Sequence, residues 1–240
     1  MRLLLSMLAL AVVASGPALA QDAPADTVLI SPGDGVLVTD WITPGATSYT
    51  MRLTAPMQQD VGTMSETVAI SDGRVTRVTT ISVPMQGMTQ VDSVVATTAF
   101  VPLAHVSTGG GADASLEFMD EGVVGLVTPR QGEATTVLLE TDAPVFDTAW
   151  AGEIAQSLPF SEGAVFKALS FSYQSPDEAG DMVYSVTGRE DVDGISAWVV
   201  KTEMGPVTFT YLVDPDTRDL LMSRFSPQPG VSIELAPDAE

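Results

Sequence analysis

MVYSVTGREDVDGISAWVVKTEMGPVTFTYLVDPDTRDLLMSRFSPQPGVSIEL, residues 182 to 235, is the stretch whose reading decides the fold. Short runs rich in Val, Ile, Thr, Tyr, Phe and Trp alternate with Asp193-Gly194, Gly205-Pro206, Asp214-Pro215-Asp216 and Gln228-Pro229-Gly230. β-Branched and aromatic side chains suit a pleated, half-buried surface, and Asp, Gly and Pro supply the backbone angles of tight turns. The pattern predicts an antiparallel meander of about five strands. Trp198, Val200, Thr202 and Met204 share one face of a strand, as do Val207, Phe209, Tyr211 and Val213 of the next. The meander is expected to form the terminal wall of a curved sheet.

Upstream the same grammar recurs. Tyr49, Met51 and Leu53 alternate with polar neighbours. Glu66–Ile70 leads through Asp72-Gly73 into Arg74–Val83, a second hairpin signal, with Val75, Arg77, Thr79, Ile81 and Val83 on one face. Gln90–Thr97, Phe100–Val106, Ala114–Met119, Gly122–Val127 and Thr135–Leu139 continue it. Beyond the helix described next, Val165, Lys167, Leu169, Phe171 and Tyr173 share a face. The total is about thirteen or fourteen strands.

A single helix is predicted, Asp147–Leu158. Asp147 can cap it, Ala149, Trp150, Ile154 and Leu158 fall on one face, and Pro159 ends it. Helices do not alternate with strands, which argues against a parallel βαβ design. The fold class is therefore mostly β: a curved antiparallel sheet or unclosed barrel with one short helix packed on it. Residues 28–240 form a single β-rich domain, and a faint similarity between 28–142 and 160–240 suggests a pseudo-repeat.

The first twenty residues carry Arg2, the apolar run Leu3–Val13 and Ala18-Leu19-Ala20. They read as a secretory signal peptide cleaved at Ala20-Gln21, followed by a disordered leader over 21–27. A periplasmic or secreted protein is expected, soluble after cleavage and without a transmembrane segment. Removing Arg2 leaves nine Lys and Arg against 31 Asp and Glu, a net charge near −22. So acidic a surface repels nucleic acid. The chain has no Cys, which rules out disulfides, thiol catalysis and Cys-ligated metal.

His105 is the lone histidine. It reads as structural, because no G-x-S-x-G surrounds any serine and Ser107 lies too near in sequence to suggest a triad partner. Asp191-Val192-Asp193-Gly194 and Asp214-Pro215-Asp216 lack the spacing of a calcium loop and sit where turns are required. Gly109-Gly110-Gly111 lacks the Lys and Ser/Thr of a phosphate loop. No catalytic residue, metal ligand or cofactor is assigned. The residues expected to line an apolar cavity are Tyr49, Met51, Trp150, Phe171, Tyr173, Trp198, Val200, Phe209 and Tyr211. Methionines in the first half, including Met51, Met57, Met64, Met85 and Met88, suit an adaptable apolar surface.

The runs V-x-G-R-E-x-V-D-G (Val186–Gly194), A-W-V-V (Ala197–Val200) and P-V-T-F-T-Y-L-V-D-P-D-T-R (Pro206–Arg218) carry a resemblance. They are joined by Asp92-Ser93-Val94, Phe100-Val101-Pro102-Leu103, Val145-Phe146-Asp147, Ser157-Leu158-Pro159-Phe160 and Glu162-Gly163. From about Ser65 onward the chain resembles a family of exported bacterial domains of unknown function. The resemblance implies a curved sheet similar to the half-barrel of the outer-membrane lipoprotein carriers LolA and LolB. Those carriers have more helix over the mouth than the one segment present here. The function expected is that of a non-enzymatic extracytoplasmic binding protein holding a lipid or other apolar ligand. The alternatives are an envelope protein–protein interaction module and, last, a carboxylate-dependent hydrolase, which two buried acids facing each other in a cleft would favour.

Overall fold

The computed structural model describes residues 27–228 and 230–238; the signal-peptide reading and most of the leader lie outside them. The first half contains β1 (Thr27–Ile30), β2 (Gly45–Ala55), β3 (Gln59–Ser71), β4 (Arg74–Val83), β5 (Met88–Thr97), β6 (Pro102–Thr108), β7 (Ala112–Met119), β8 (Gly122–Pro129) and β9 (Thr135–Glu140). Thr27, assigned to the leader from composition, already pairs with Val165. A short β10 (Phe146–Asp147) leads into a 3-10 turn, Thr148–Trp150, and the helix α1, Ala151–Ser157. The second half contains β11 (Val165–Phe171), β12 (Ala179–Val192), β13 (Ile195–Met204), β14 (Val207–Val213), β15 (Leu220–Gln228) and β16 (Val231–Pro237).

The meander of residues 182–235 is five strands, β12 to β16, as its turns predict. Asp72 and Asp193, each followed by Gly, adopt positive φ of 52° and 51°, as a two-residue hairpin turn requires. Asp214 Oδ1 accepts from the backbone N–H groups of Asp216 (2.7 Å) and Thr217 (3.0 Å), so this aspartate closes a turn on itself.

Among the described residues all sixteen strands belong to one unclosed sheet, fifteen of them ordered β1-β11-β12-β13-β14-β15-β16-β2-β3-β4-β5-β6-β7-β8-β9, with β10 joined to β11 beside β1. Two features depart from the sequence reading. The sheet is mixed, because β1 and β10 both pair in parallel with β11. The C-terminal meander is not a terminal wall: β16 pairs with β2, with Leu235 opposite Met51 and Ile233 opposite Leu53. The two halves of the chain thus meet in the middle of the sheet, and its edges come from β1 and β9. Alternation within a strand reports which face is buried, but not which distant strand lies beside it.

The inner face carries the core. One cluster gathers around the helix, with Trp150, Ile154 and Leu158 packed among Val94, Phe100, Phe166, Tyr184, Val200 and Val213. A second joins Leu116, Val123 and Val137 of β7–β9 to Val145 and Phe171, so the two ends of the sheet approach each other through side chains. A third is smaller and less covered: Tyr49, Met51, Ile233 and Leu235 at the β2–β16 seam.

Asp147 caps the 3-10 turn that leads into α1, its Oδ1 accepting from Ala149 N–H at 2.9 Å, whereas α1 itself starts after Trp150 with no side-chain cap. The helix itself is more enclosed than an amphipathic pattern implies. Glu153, Gln156 and Ser157, on its polar side, are buried along with Ala151, Ile154 and Ala155. The sheet curls around it. Arg218 donates through Nη1 to the carbonyls of Gln156 (2.6 Å) and Leu158 (2.9 Å), satisfying the helix end that attracts positive charge. Trp41 Nε1 reaches Ser157 Oγ at 3.0 Å, closing the other flank.

Candidate functional site

Strand register sets three rows across the inner face of β2–β6. Glu66, Thr79, Asp92 and Ser107 stand opposite one another in sequence. On the helix side of that row lie Arg77, Val94 and His105. On the other side lie Tyr49, Met64, Ile81 and Gln90. Facing side chains on adjacent strands have Cβ atoms about 5 Å apart, so each row is a line of neighbours. A polar shelf therefore separates the helix-filled core from an apolar strip.

Arg77 anchors the first cluster. Its guanidinium pairs with Glu153 of α1, donates to the Ala149 carbonyl and lies 3.7 Å from Glu66. It also stacks 5.0 Å from the Trp150 ring centroid. Burial opposes its charge, but Glu153 and Glu66 outweigh burial and raise its pKa. Two carboxylates share this one cation. Glu66 bears the cost: burial first, then repulsion from Glu153, pushes its pKa up to about 7 despite Arg77. Burial also holds the phenols of Tyr49, Tyr184 and Tyr211 above their ordinary range.

His105 anchors the second. Its Nδ1 lies 2.9 Å from Asp147 Oδ2 and its Nε2 3.5 Å from Asp92 Oδ1. Burial alone would lower the imidazole pKa; Asp147 and then Asp92 override it and push it up to about 9. Burial likewise disfavours the Asp92 carboxylate, but His105, Ser107 and Gln90 hold it below its ordinary value. Gln90 Nε2 donates to Asp92 Oδ2 (2.7 Å) and to the Tyr173 hydroxyl (3.1 Å). Ser107, set aside on sequence spacing, does join the cluster: it sits on the same face as His105 and bonds Tyr173 at 3.3 Å. Both ring nitrogens of His105 thus face carboxylates.

Beyond the shelf the inner face turns apolar and only half covered. Leu53, Val61, Met64, Ile81, Phe225 and Val231 are partly buried against the Tyr49–Met51–Ile233–Leu235 cluster. Phe209 stacks on Phe225 at 5.3 Å and brings β14 to the same floor. Gly62 shapes it: a Cβ there would meet the Ser82 carbonyl oxygen at 2.3 Å, so β3 and β4 approach too closely for any side chain.

The nine residues expected to line one cavity divide among three places. Trp150, Val200 and Tyr211 are buried around the helix, with Trp198 and Phe209 packed against that core. Phe171 and Tyr173 belong to the cluster at the sheet ends. Tyr49 and Met51 floor the half-covered trough. Two surface grooves of about 590 and 310 Å³ lie elsewhere, on the outer face, the first over Ala69, Ser71, Asp72, Arg74, Thr76 and Val95, the second along β2 and β16.

Comparison with known proteins places this arrangement in a family. The model described as "Protein of unknown function (DUF3108)" matches residues 40–236. The chain belongs to the DUF3108 family. The DUF3108 match begins well before Ser65 and takes in β2–β16, hence both charged clusters and the trough; of the sixteen strands only β1 lies outside it. No curated protein matches the chain. Within this DUF3108 domain the residues that sequence reasoning did not select are Glu66, Arg77, Thr79, Gln90, Asp92, Glu153 and Asp147 in its second role. One signal was present. Arg77 and Thr79 occupy the apolar face of β4, between Val75 and Ile81, and polar groups on a core face need partners.

Proposed function

We propose that the protein is a non-enzymatic extracytoplasmic carrier or binding protein that holds a lipid or other apolar ligand in the curve of its sheet, as LolA-type half-barrels do. The observation that carries this reading is the apolar strip at the β2–β16 seam, where partly buried Leu53, Val61, Met64, Ile81, Phe225 and Val231 flank Tyr49, Met51, Ile233 and Leu235. Each CH₂ group buried there would contribute about 0.8 kcal/mol. The engagement of both His105 ring nitrogens by acids agrees with a structural role for it. Glu66 and Glu153 share Arg77, an arrangement that favours binding over paired-carboxylate hydrolysis.

The test is direct. Protein purified without detergent should carry extractable lipid at about one equivalent, and a neutral apolar fluorophore should bind saturably. Leu53→Asp, in the floor of the trough, should weaken that binding at least tenfold while the circular dichroism spectrum is unchanged. Ligand-free mass spectra together with no saturable binding would sink the proposal.

A second reading, an envelope interaction module, is favoured by the edge strand β9. Leu138 there is 75% exposed, beside the exposed Leu126 of β8. A partner recovered at fixed stoichiometry from envelope extract, and lost on Leu138→Lys, would support it; an unchanged pull-down with the variant would reject this face.

A further inference from the structure

We infer that the polar shelf beside the trough selects the head of the bound molecule, and that this head is a positively charged hydrogen-bond donor such as an alkylammonium, not a carboxylate or phosphate. This rests on the binding reading above and goes further by naming the ligand's chemistry.

Charge on the inner face is unbalanced. Glu66 and Glu153 share Arg77, and Asp92 and Asp147 share His105. Each cluster thus keeps one surplus negative charge when its acids are ionised, in a setting where burial makes that surplus expensive. Arg77 and His105 are also drawn toward the helix, into Ala149, Glu153 and Asp147, and so turn away from the trough. The shelf proper presents acids and hydroxyls.

A second observation is independent of the acids. Thr79 stands between Glu66 and Asp92, is 7% exposed, and its Oγ1 has no hydrogen-bond partner among the described residues. Glu153 Oε2 is likewise unpartnered among them. Arg77 Nε, a donor, is unpartnered among them too; unpartnered buried polar atoms are costly and uncommon, and since a hydroxyl both donates and accepts, Thr79 calls for a polar head whose sign the surplus charge decides. A head group with several N–H donors, seated over Thr79 and Glu66, would satisfy the hydroxyl and neutralise the surplus charge together. A chain leaving that head along the inner face meets Met64 and Ile81 first, the next residues on the same face of β3 and β4. Burial and then Glu153 raise the Glu66 pKa despite Arg77, as expected where two carboxyls share one cation.

The test uses the full mature chain and three ten-carbon probes, decylammonium, decanol and decanoate, displacing the neutral fluorophore N-phenyl-1-naphthylamine at about 0.15 M salt to screen the acidic surface. Decylammonium should displace at a concentration at least tenfold below that of decanoate, with decanol between. With displacement normalised to each variant's own fluorophore affinity, Glu66→Gln should shrink the gap to under threefold, while the exposed control Glu117→Gln keeps it. Decanoate equal to or better than decylammonium would overturn the inference and leave the binding reading standing. A gap that survives in Glu66→Gln would also overturn it, since surface charge alone would then explain the preference. No saturable fluorophore binding would remove the binding reading itself, and the inference with it.

Discussion

The Arg77 and His105 clusters solve one problem in two ways. Each sets one base between two carboxylates on the inner face, and each ties the first half of the sheet to the start of the helix. Arg77 holds Glu153 and the Ala149 carbonyl. His105 holds Asp147, whose other oxygen caps the 3-10 turn leading into the helix. The difference lies in which partner titrates. A guanidinium does not lose its proton, so the strain of the shared charge appears on an acid, Glu66, whose pKa rises to about 7. An imidazole can lose its proton, so the acids there hold it on and raise its pKa to about 9. The first cluster keeps a weak acid facing the trough; the second is a closed strut.

Removing the bases separates the two most strongly. Arg77→Met leaves two acids buried without a cation and should cost about 3–5 kcal/mol in urea unfolding at pH 7.5. The double variant Arg77→Met with Glu153→Gln should recover part of that loss, and additive losses would show that the two residues are not coupled.

His105→Gln should cost less, about 2–3 kcal/mol at neutral pH, because a neutral amide still donates one hydrogen bond to a carboxylate. Its signature is pH dependence. The folded pKa of about 9 exceeds the ordinary 6.5, so the native state binds the proton more tightly. That stabilisation is fully present below pH 6.5 and is lost as pH rises through about 9. Unfolding free energies at pH 6 and pH 9.5 should therefore differ more in the native protein than in the variant. Equal slopes would break the comparison.

Glu66→Gln should give the smallest effect and the opposite sign, a gain of about 1–2 kcal/mol at pH 8. A folded pKa raised above 4.5 means that the native state holds a proton the unfolded chain has released, so stability falls as pH rises from about 4.5 to about 7. The native protein should show that decline and the variant should not. A variant less stable at pH 8 would mean that Glu66 is a net stabilising partner of Arg77, and the contrast between the clusters would collapse.

Much of the fold was legible before any coordinates. Asp-Gly at 72–73 and 193–194, the alternation around Trp198 and Phe209, and the cap and stop of the helix at Asp147 and Pro159 are local statements about backbone angles and faces, and each stands. The site was less legible. Aromatic residues were expected to gather in one cavity, but helix burial claims Trp150, Val200 and Tyr211, and the sheet ends claim Phe171 and Tyr173. The polar row was hidden because Glu66, Thr79, Asp92 and Ser107 come from four different strands, and their alignment depends on the register of three pairings at once.

By itself the sequence determined the strands, their turns, the capped helix and the apolar faces, because these follow from dihedral preference and side-chain periodicity within a few residues. Only the tertiary structure decided that β16 lies against β2 and builds the trough at the seam. Only it decided that the helix is swallowed by the curve, and that two bases are shared among four acids beneath it. Pairing between distant strands is selected by the burial of whole faces against one another, and no short stretch of chain carries that information.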